Sequence, residues 1–182
     1  SYVTRYKVLE GLKEGGTFLL NCLWSVEDME RELPAEMKQE IAKKKLQFYN
    51  IDAIKIAGDI GLGGRINAIM QAAFFKGADI IPVDEAVQYM KDAVQKSYGK
   101  KGEKIVKMNN DAIDVALDKL EKVDYPDSWA NATEGATAVV TTDDPYFVDV
   151  IHPILAQQGD KLPVSKFSAD GVVPVATTQY EK

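Results

Sequence analysis

One cysteine and one histidine in 182 residues rule out much of the chemistry a protein of this size can carry. Cys22 alone cannot close an internal disulfide, which fits a reducing, cytoplasmic setting, and it cannot supply the thiolates of an all-cysteine zinc or iron–sulfur site. His152 stands beside Pro153, and the sequence shows no partners that would build a triad or a histidine-based metal centre around it. Basic residues are also in deficit, 22 Lys and Arg against 28 Asp and Glu, for a net charge of -6. That balance disfavours nonspecific attraction to nucleic acid or to an anionic membrane, because phosphate binding draws on Lys and Arg. The short runs Lys43-Lys44-Lys45 and Lys100-Lys101 are expected to be solvated helix ends. No uncharged apolar run approaches the roughly 20 residues that a membrane helix requires. The chain opens on Ser1 without a hydrophobic leader and closes on Tyr180-Glu181-Lys182, which is expected of a piece of a longer polypeptide.

What is present is a hydrophobic share of 46%, enough to bury a core. The chain is organised around Gly61-Leu62-Gly63-Gly64-Arg65-Ile66-Asn67 and the helix that follows to about Phe75. Three glycines in four positions free the backbone from Cβ sterics, and Ile66, Ile69, Met70, Ala73 and Phe74 then fall at helical spacing. Unpaired N–H groups and the positive end of the helix dipole collect at such a start, and Arg65 adds a full charge. Gly63, Gly64, Arg65 and Asn67 are therefore the candidate anion-binding residues. They do not form a dinucleotide fingerprint, since Ile66 occupies the place of its third glycine, nor a Walker A loop. Close packing of helices or domains is the competing use of the same glycines.

Upstream, Tyr6, Val8, Leu9 and Leu12 have roughly helical spacing before the turn at Gly15-Gly16. Thr17 to Cys22 and Leu46 to Ile51 are strand candidates, apolar and bounded by turn residues. Between them, Ser25-Val26-Glu27-Asp28 resembles a capping box, with Trp24 and Met29 at the staple positions. Pro34 should end that helix and begin another through about Lys45. Residues 54–60 fit a short helix. After the central helix, Gly77 is the expected stop. One helix then follows Pro82 with its stripe on Val83, Val87, Met90, Val94 and Tyr98, and another spans about Glu103 to Lys122.

Helix and strand alternate over short connections, which favours an α/β fold with a parallel or mostly parallel sheet and flanking helices, then a helical half and an irregular C-terminal extension. The expected division is 1–122 and 123–182, the second part loop-rich. Within it, Trp129 should anchor a loop, Asp144 should cap a helix through Gln158 kinked at Pro153, and the stretch from Gly159 should lie as a connector on another surface. Asp143-Asp144 and Glu27-Asp28 stand where capping accounts for them. Cys22, at the end of an apolar strand, is expected to be a buried, inert thiol.

Taken as a set, several long words are similar to pyruvate:ferredoxin (flavodoxin) oxidoreductase: Tyr6-Lys7-Val8-Leu9-Glu10-Gly11-Leu12-Lys13-Glu14-Gly15-Gly16, the stretch from Gly61 to Phe75, and Tyr98-Gly99-Lys100-Lys101-Gly102-Glu103-Lys104-Ile105-Val106. Ser128-Trp129-Ala130-Asn131-Ala132-Thr133, Leu162-Pro163-Val164-Ser165 and Gln179-Tyr180-Glu181-Lys182 continue the match. The resemblance implies the later part of that family's gamma domain and the connector to a ferredoxin-like domain. It implies a parent enzyme, expected to be a homodimer, that converts pyruvate and coenzyme A to acetyl-coenzyme A and CO2. Thiamine diphosphate, magnesium and [4Fe-4S] clusters would serve it elsewhere in the parent, with ferredoxin or flavodoxin as acceptor. No cofactor is expected in this stretch, and its partners would be the other domains of the parent. Through the gamma domain the resemblance implies a part in holding coenzyme A, whose phosphates suit the Arg65 turn. A purely structural interdomain module, or a free-standing nucleotide-binding α/β protein, are the alternatives.

Overall fold

The computed structural model describes residues 2–140 and 142–172. Its sheet is built from two parallel five-residue strands, β1 (Thr17–Asn21) and β2 (Gln47–Ile51), in the register Thr17 to Gln47 through Asn21 to Ile51. Both strands alternate their side chains between two apolar layers, as a two-residue period requires. Phe18, Leu20 and Phe48 face one layer, while Leu19, Tyr49 and Ile51 face the other.

The first layer holds α1 (Tyr2–Arg5), α2 (Val26–Glu32) and α3 (Ala35–Lys43). Ser25 caps α2 as its sequence promises: Ser25 Oγ accepts from the Asp28 N–H at 3.1 Å, and the Ser25 N–H donates back to Asp28 Oδ2 at 3.3 Å. Trp24 and Met29 belong to the same apolar cluster, and Pro34 separates α2 from α3. Residues 6–12 form turns instead of a helix, with α1 lying earlier at Tyr2–Arg5. The apolar spacing there serves a loop that presses Leu9, 1% exposed, into the first layer.

The second layer holds α4 (Ala53–Ile60), α5 (Asn67–Ala78), α6 (Val83–Tyr98) and α7 (Glu103–Lys119). Gly77 does not stop α5. The helix continues to Ala78 and ends on Asp79, which takes the left-handed conformation at φ 48°. Gly77 instead sits where α5 crosses the sheet, its carbonyl accepting from Thr17 Oγ1 at 3.3 Å. α7 also stops short of Lys122, because Glu121–Lys122 turns into β3, a two-residue strand antiparallel to β2. The sheet is thus mixed, in the order β1-β2-β3.

Beyond β3 the chain crosses the first layer. Val123 donates its N–H to the Phe48 carbonyl at 2.8 Å, and Trp129, in a 3-10 turn over Asp127–Asn131, is 1% exposed and stacked on Tyr125. The anchoring expected of Trp129 is what the structure has. The expected helix from Asp144 is capped there, Asp144 Oδ1 accepting from the Phe147 N–H at 3.0 Å. It then widens into a π-helical turn at Phe147–Ile151 and finishes as α8 (His152–Leu155). Pro153 has no N–H and crowds the preceding turn, so the interruption occurs where the proline demands it. The stretch 173–182 lies outside the described residues.

Candidate functional site: the glycine turn before α5

The turn is shaped by the end of α4. Gly61 adopts φ 85°, its N–H donates to the Gly58 carbonyl at 3.0 Å, and the Leu62 N–H donates to Ala57 at 2.8 Å. These two bonds make a Schellman cap, completed by Leu62, 2% exposed, entering the core. A Cβ on Gly61 would reach Met108 Cε at 3.4 Å, so the turn rests against α7. Gly63 is also left-handed, at φ 61°.

From there the site residues emerge together on the surface. Gly63, Gly64, Arg65 and Asn67 are all exposed, and a Cβ on Gly63 or Gly64 would meet no atom within 4 Å. Arg65 folds back so that its Nε donates to the Leu62 carbonyl at 3.0 Å. No ion pair joins Arg65 to a carboxylate among the described residues, although eleven ion pairs form elsewhere. Ile66 precedes α5 without a side-chain cap, and Asn67 is the first residue of the helix. The arrangement therefore combines an uncapped helix start, a cation held by its own turn, and bare backbone that a ligand can approach closely.

The other chemistry-bearing residues lie apart. Cys22 is half-buried, donates to Asn50 Oδ1 at 3.2 Å, and burial pushes its thiol above the ordinary range, against a weaker opposing bond with the Trp24 backbone. His152 lines a groove of about 650 Å³ between the N-terminal segment, α3 and α8, together with Arg5, Met37, Lys43 and Lys44. Three segments remote in sequence assemble that groove, so no local pattern announces it. Among the described residues no group of His, Cys, Asp and Glu is arranged to hold a metal ion. An iron–sulfur cluster does not fit the donor set of this chain, since it needs several thiolates and only Cys22 is present.

A polar hub that the sequence does not advertise ties the first layer together. Lys38, its side chain 1% exposed, donates to the Glu30 carbonyl at 2.5 Å and to Glu30 Oε1 at 3.1 Å, and the Trp129 indole N–H donates to Glu30 Oε2. The indole bond, more than Lys38, holds the Glu30 carboxyl below the ordinary glutamate value.

Comparison with known proteins accounts for both halves. Residues 1–119 match the family model described as pyruvate ferredoxin/flavodoxin oxidoreductase, and residues 133–182 match one described as a domain of unknown function. Over its whole length the chain is 60% identical to pyruvate:ferredoxin oxidoreductase of Moorella thermoacetica and 47% identical to pyruvate-flavodoxin oxidoreductase of Enterobacter agglomerans. It is 44% identical to a mitochondrial pyruvate dehydrogenase [NADP(+)] of Euglena gracilis. It spans 16% of the length of the first two and 10% of the third. With the glycine turn, the Trp129 loop and the two parallel strands all inside these matches, the chain belongs to the pyruvate ferredoxin/flavodoxin oxidoreductase family.

Proposed function

We propose that this chain works as a scaffold within a pyruvate-oxidising polypeptide of the family, and that its glycine turn helps to hold coenzyme A. The observation that carries this is the uncapped start of α5 beside an exposed Arg65 that makes no ion pair among the described residues and two glycines with open space around them. A coenzyme A phosphate suits that chemistry: backbone N–H groups and the helix dipole favour the anion, and a guanidinium adds charge-assisted hydrogen bonds. Binding energy spent on the nonreacting end of coenzyme A would hold its thiol near the reacting centre, which other parts of the polypeptide supply. Gly63 and Gly64 admit the phosphate, Arg65 pairs with it, and Asn67 presents the first helical N–H.

In this reading the chemistry belongs to the whole enzyme. Pyruvate is its substrate, ferredoxin or flavodoxin accepts the electrons, and thiamine diphosphate, magnesium and iron–sulfur clusters are bound elsewhere in a cytoplasmic, dimeric parent. The boundary proposed near residue 122 is supported by the two family matches, which end at 119 and resume at 133. The test is Arg65→Ala in the complete enzyme. The KM for coenzyme A should rise more than the KM for pyruvate, and equal effects on both reject the assignment.

A further inference from the structure

Residues 132–140 form the longest described stretch without a turn or helix, and among the described residues the backbone N–H and C=O groups of 133–140 make no hydrogen bond. The stretch is nevertheless held at both ends. At its start, Gln39 Nε2 donates to the Ala132 carbonyl at 2.7 Å, and Gly135 presses so closely on the backbone of Leu33 to Ala35 that no Cβ could fit. After it, Asp144 caps the turn that buries Phe147 and Val150.

Between those anchors runs Ala136-Thr137-Ala138-Val139-Val140, uncharged and rich in β-branched residues, with Val139 84% and Val140 42% exposed. A stretch with β-propensity, no charge, no proline and a full set of unpaired backbone groups is a strand that lacks a sheet. Other exposed apolar residues lie in the same part of the sequence. Eight of the fifteen exposed large hydrophobic residues found among the described residues lie between Val139 and Val172, in the minor part of the chain.

We propose that Ala136–Val140 is a pairing strand, which adds by backbone hydrogen bonds to an exposed sheet edge in another part of the longer polypeptide. The inference rests on the reading that this chain works within such a polypeptide. That partner is chosen because the chain spans only 16% of its two quoted bacterial relatives, leaving most of such a polypeptide available to cover an apolar strap tethered at both ends. Pairing would satisfy the idle donors and acceptors, and Val139 and Val140, on opposite faces of an added strand, would each find an apolar neighbour.

The experiment is hydrogen exchange followed by mass spectrometry on a complete polypeptide of the family that carries this sequence. The amides of Ala136 to Val140 should exchange at least about 100-fold more slowly than an open chain. Val139→Pro and Val140→Pro, tested separately, remove donors on alternate sides; one of them should abolish the protection, whereas Val139→Thr should keep it. Open-chain exchange of these amides in the unmodified complete polypeptide overturns the proposal. So does protection that appears in the 182-residue chain alone as its concentration rises, which would make a second copy the partner. Exchange at this strap reads nothing of coenzyme A, and Arg65→Ala reads nothing of the strap, so the two proposals fail separately.

Discussion

Lys38 is almost entirely enclosed while Glu30, its partner at 3.1 Å, keeps 56% of its side chain in water. The buried member of the pair depends on the exposed one, because the ammonium has left solvent and the carboxylate has not. Removing either partner should therefore have unequal effects. Glu30→Ala leaves the buried ammonium only the backbone carbonyl of residue 30, without its counter-charge, and leaves the indole N–H without its acceptor, and is expected to lose about 2 to 3 kcal/mol. Lys38→Met keeps the volume, leaves a carboxylate that water and Trp129 still solvate, and should lose about 1 kcal/mol or less. Urea unfolding of the two variants decides, and the order of their midpoints is the quantity to read.

The same carboxylate gives the stability a pH dependence. Because the Trp129 indole and then Lys38 lower the Glu30 value in the folded chain, the unfolded chain binds the proton more readily. The resulting stabilisation is complete above the ordinary glutamate value of about 4.5 and is lost as pH falls from there through the lowered folded value. Glu10, lowered by Lys161, and Asp28, lowered first by Ser25, act in the same sense. Melting temperature measured down from pH 6 should decline below about pH 5 and should decline less steeply in Glu30→Gln.

Two glycines should respond to alanine with opposite signs. At Gly77 a Cβ would make ordinary contacts, 3.6 Å from Tyr49 and 3.7 Å from Thr17, inside a regular helix. Gly77→Ala should stabilise by about 0.5 to 1 kcal/mol, through the gain in helix propensity. At Gly135 the Cβ would collide with the Leu33 carbonyl and come within 2.8 Å of the Ala35 nitrogen, backbone atoms that cannot step aside cheaply. Gly135→Ala should destabilise by about 1 to 3 kcal/mol. Thermal melts of both variants provide the comparison.

Gly64 separates ligand contact from packing. Its surroundings are open, so Gly64→Ala should change stability by no more than about 0.5 kcal/mol. If backbone at this turn approaches a phosphate, the added methyl should still raise the KM for coenzyme A in the complete enzyme. Unchanged stability with unchanged KM would place the phosphate elsewhere.

Cys22 should be slow to react. With its thiol raised mainly by burial, the midpoint of an iodoacetamide rate profile is expected above that of an open-chain cysteine peptide. Cys22→Ser should fold, since a hydroxyl can also donate to Asn50.

Local patterns carried the parts of this fold that local forces make. β1 and β2 are short apolar runs between turn residues, the Ser25 box satisfies helix donors within four residues, and the glycine turn follows from backbone freedom at Gly61 and Gly63. They also placed Gly63, Gly64, Arg65 and Asn67 on one turn, and the structure keeps them together on the surface. Tertiary structure alone decided the rest. Glu121 and Lys122 have little strand preference, and they form β3 because α7 delivers them to the open edge of β2. Lys38 lies next to Met37 on α3 and is enclosed only in a fold where Trp129, ninety-one residues later, closes over Glu30. Gly77 could have been a helix end by its residue type, yet α5 passes through it, packed at ordinary contact distance from Thr17 and Tyr49, and ends on Asp79. Sequence settles what neighbours along the chain can satisfy by themselves, and packing settles which distant groups must be covered, paired or kept small.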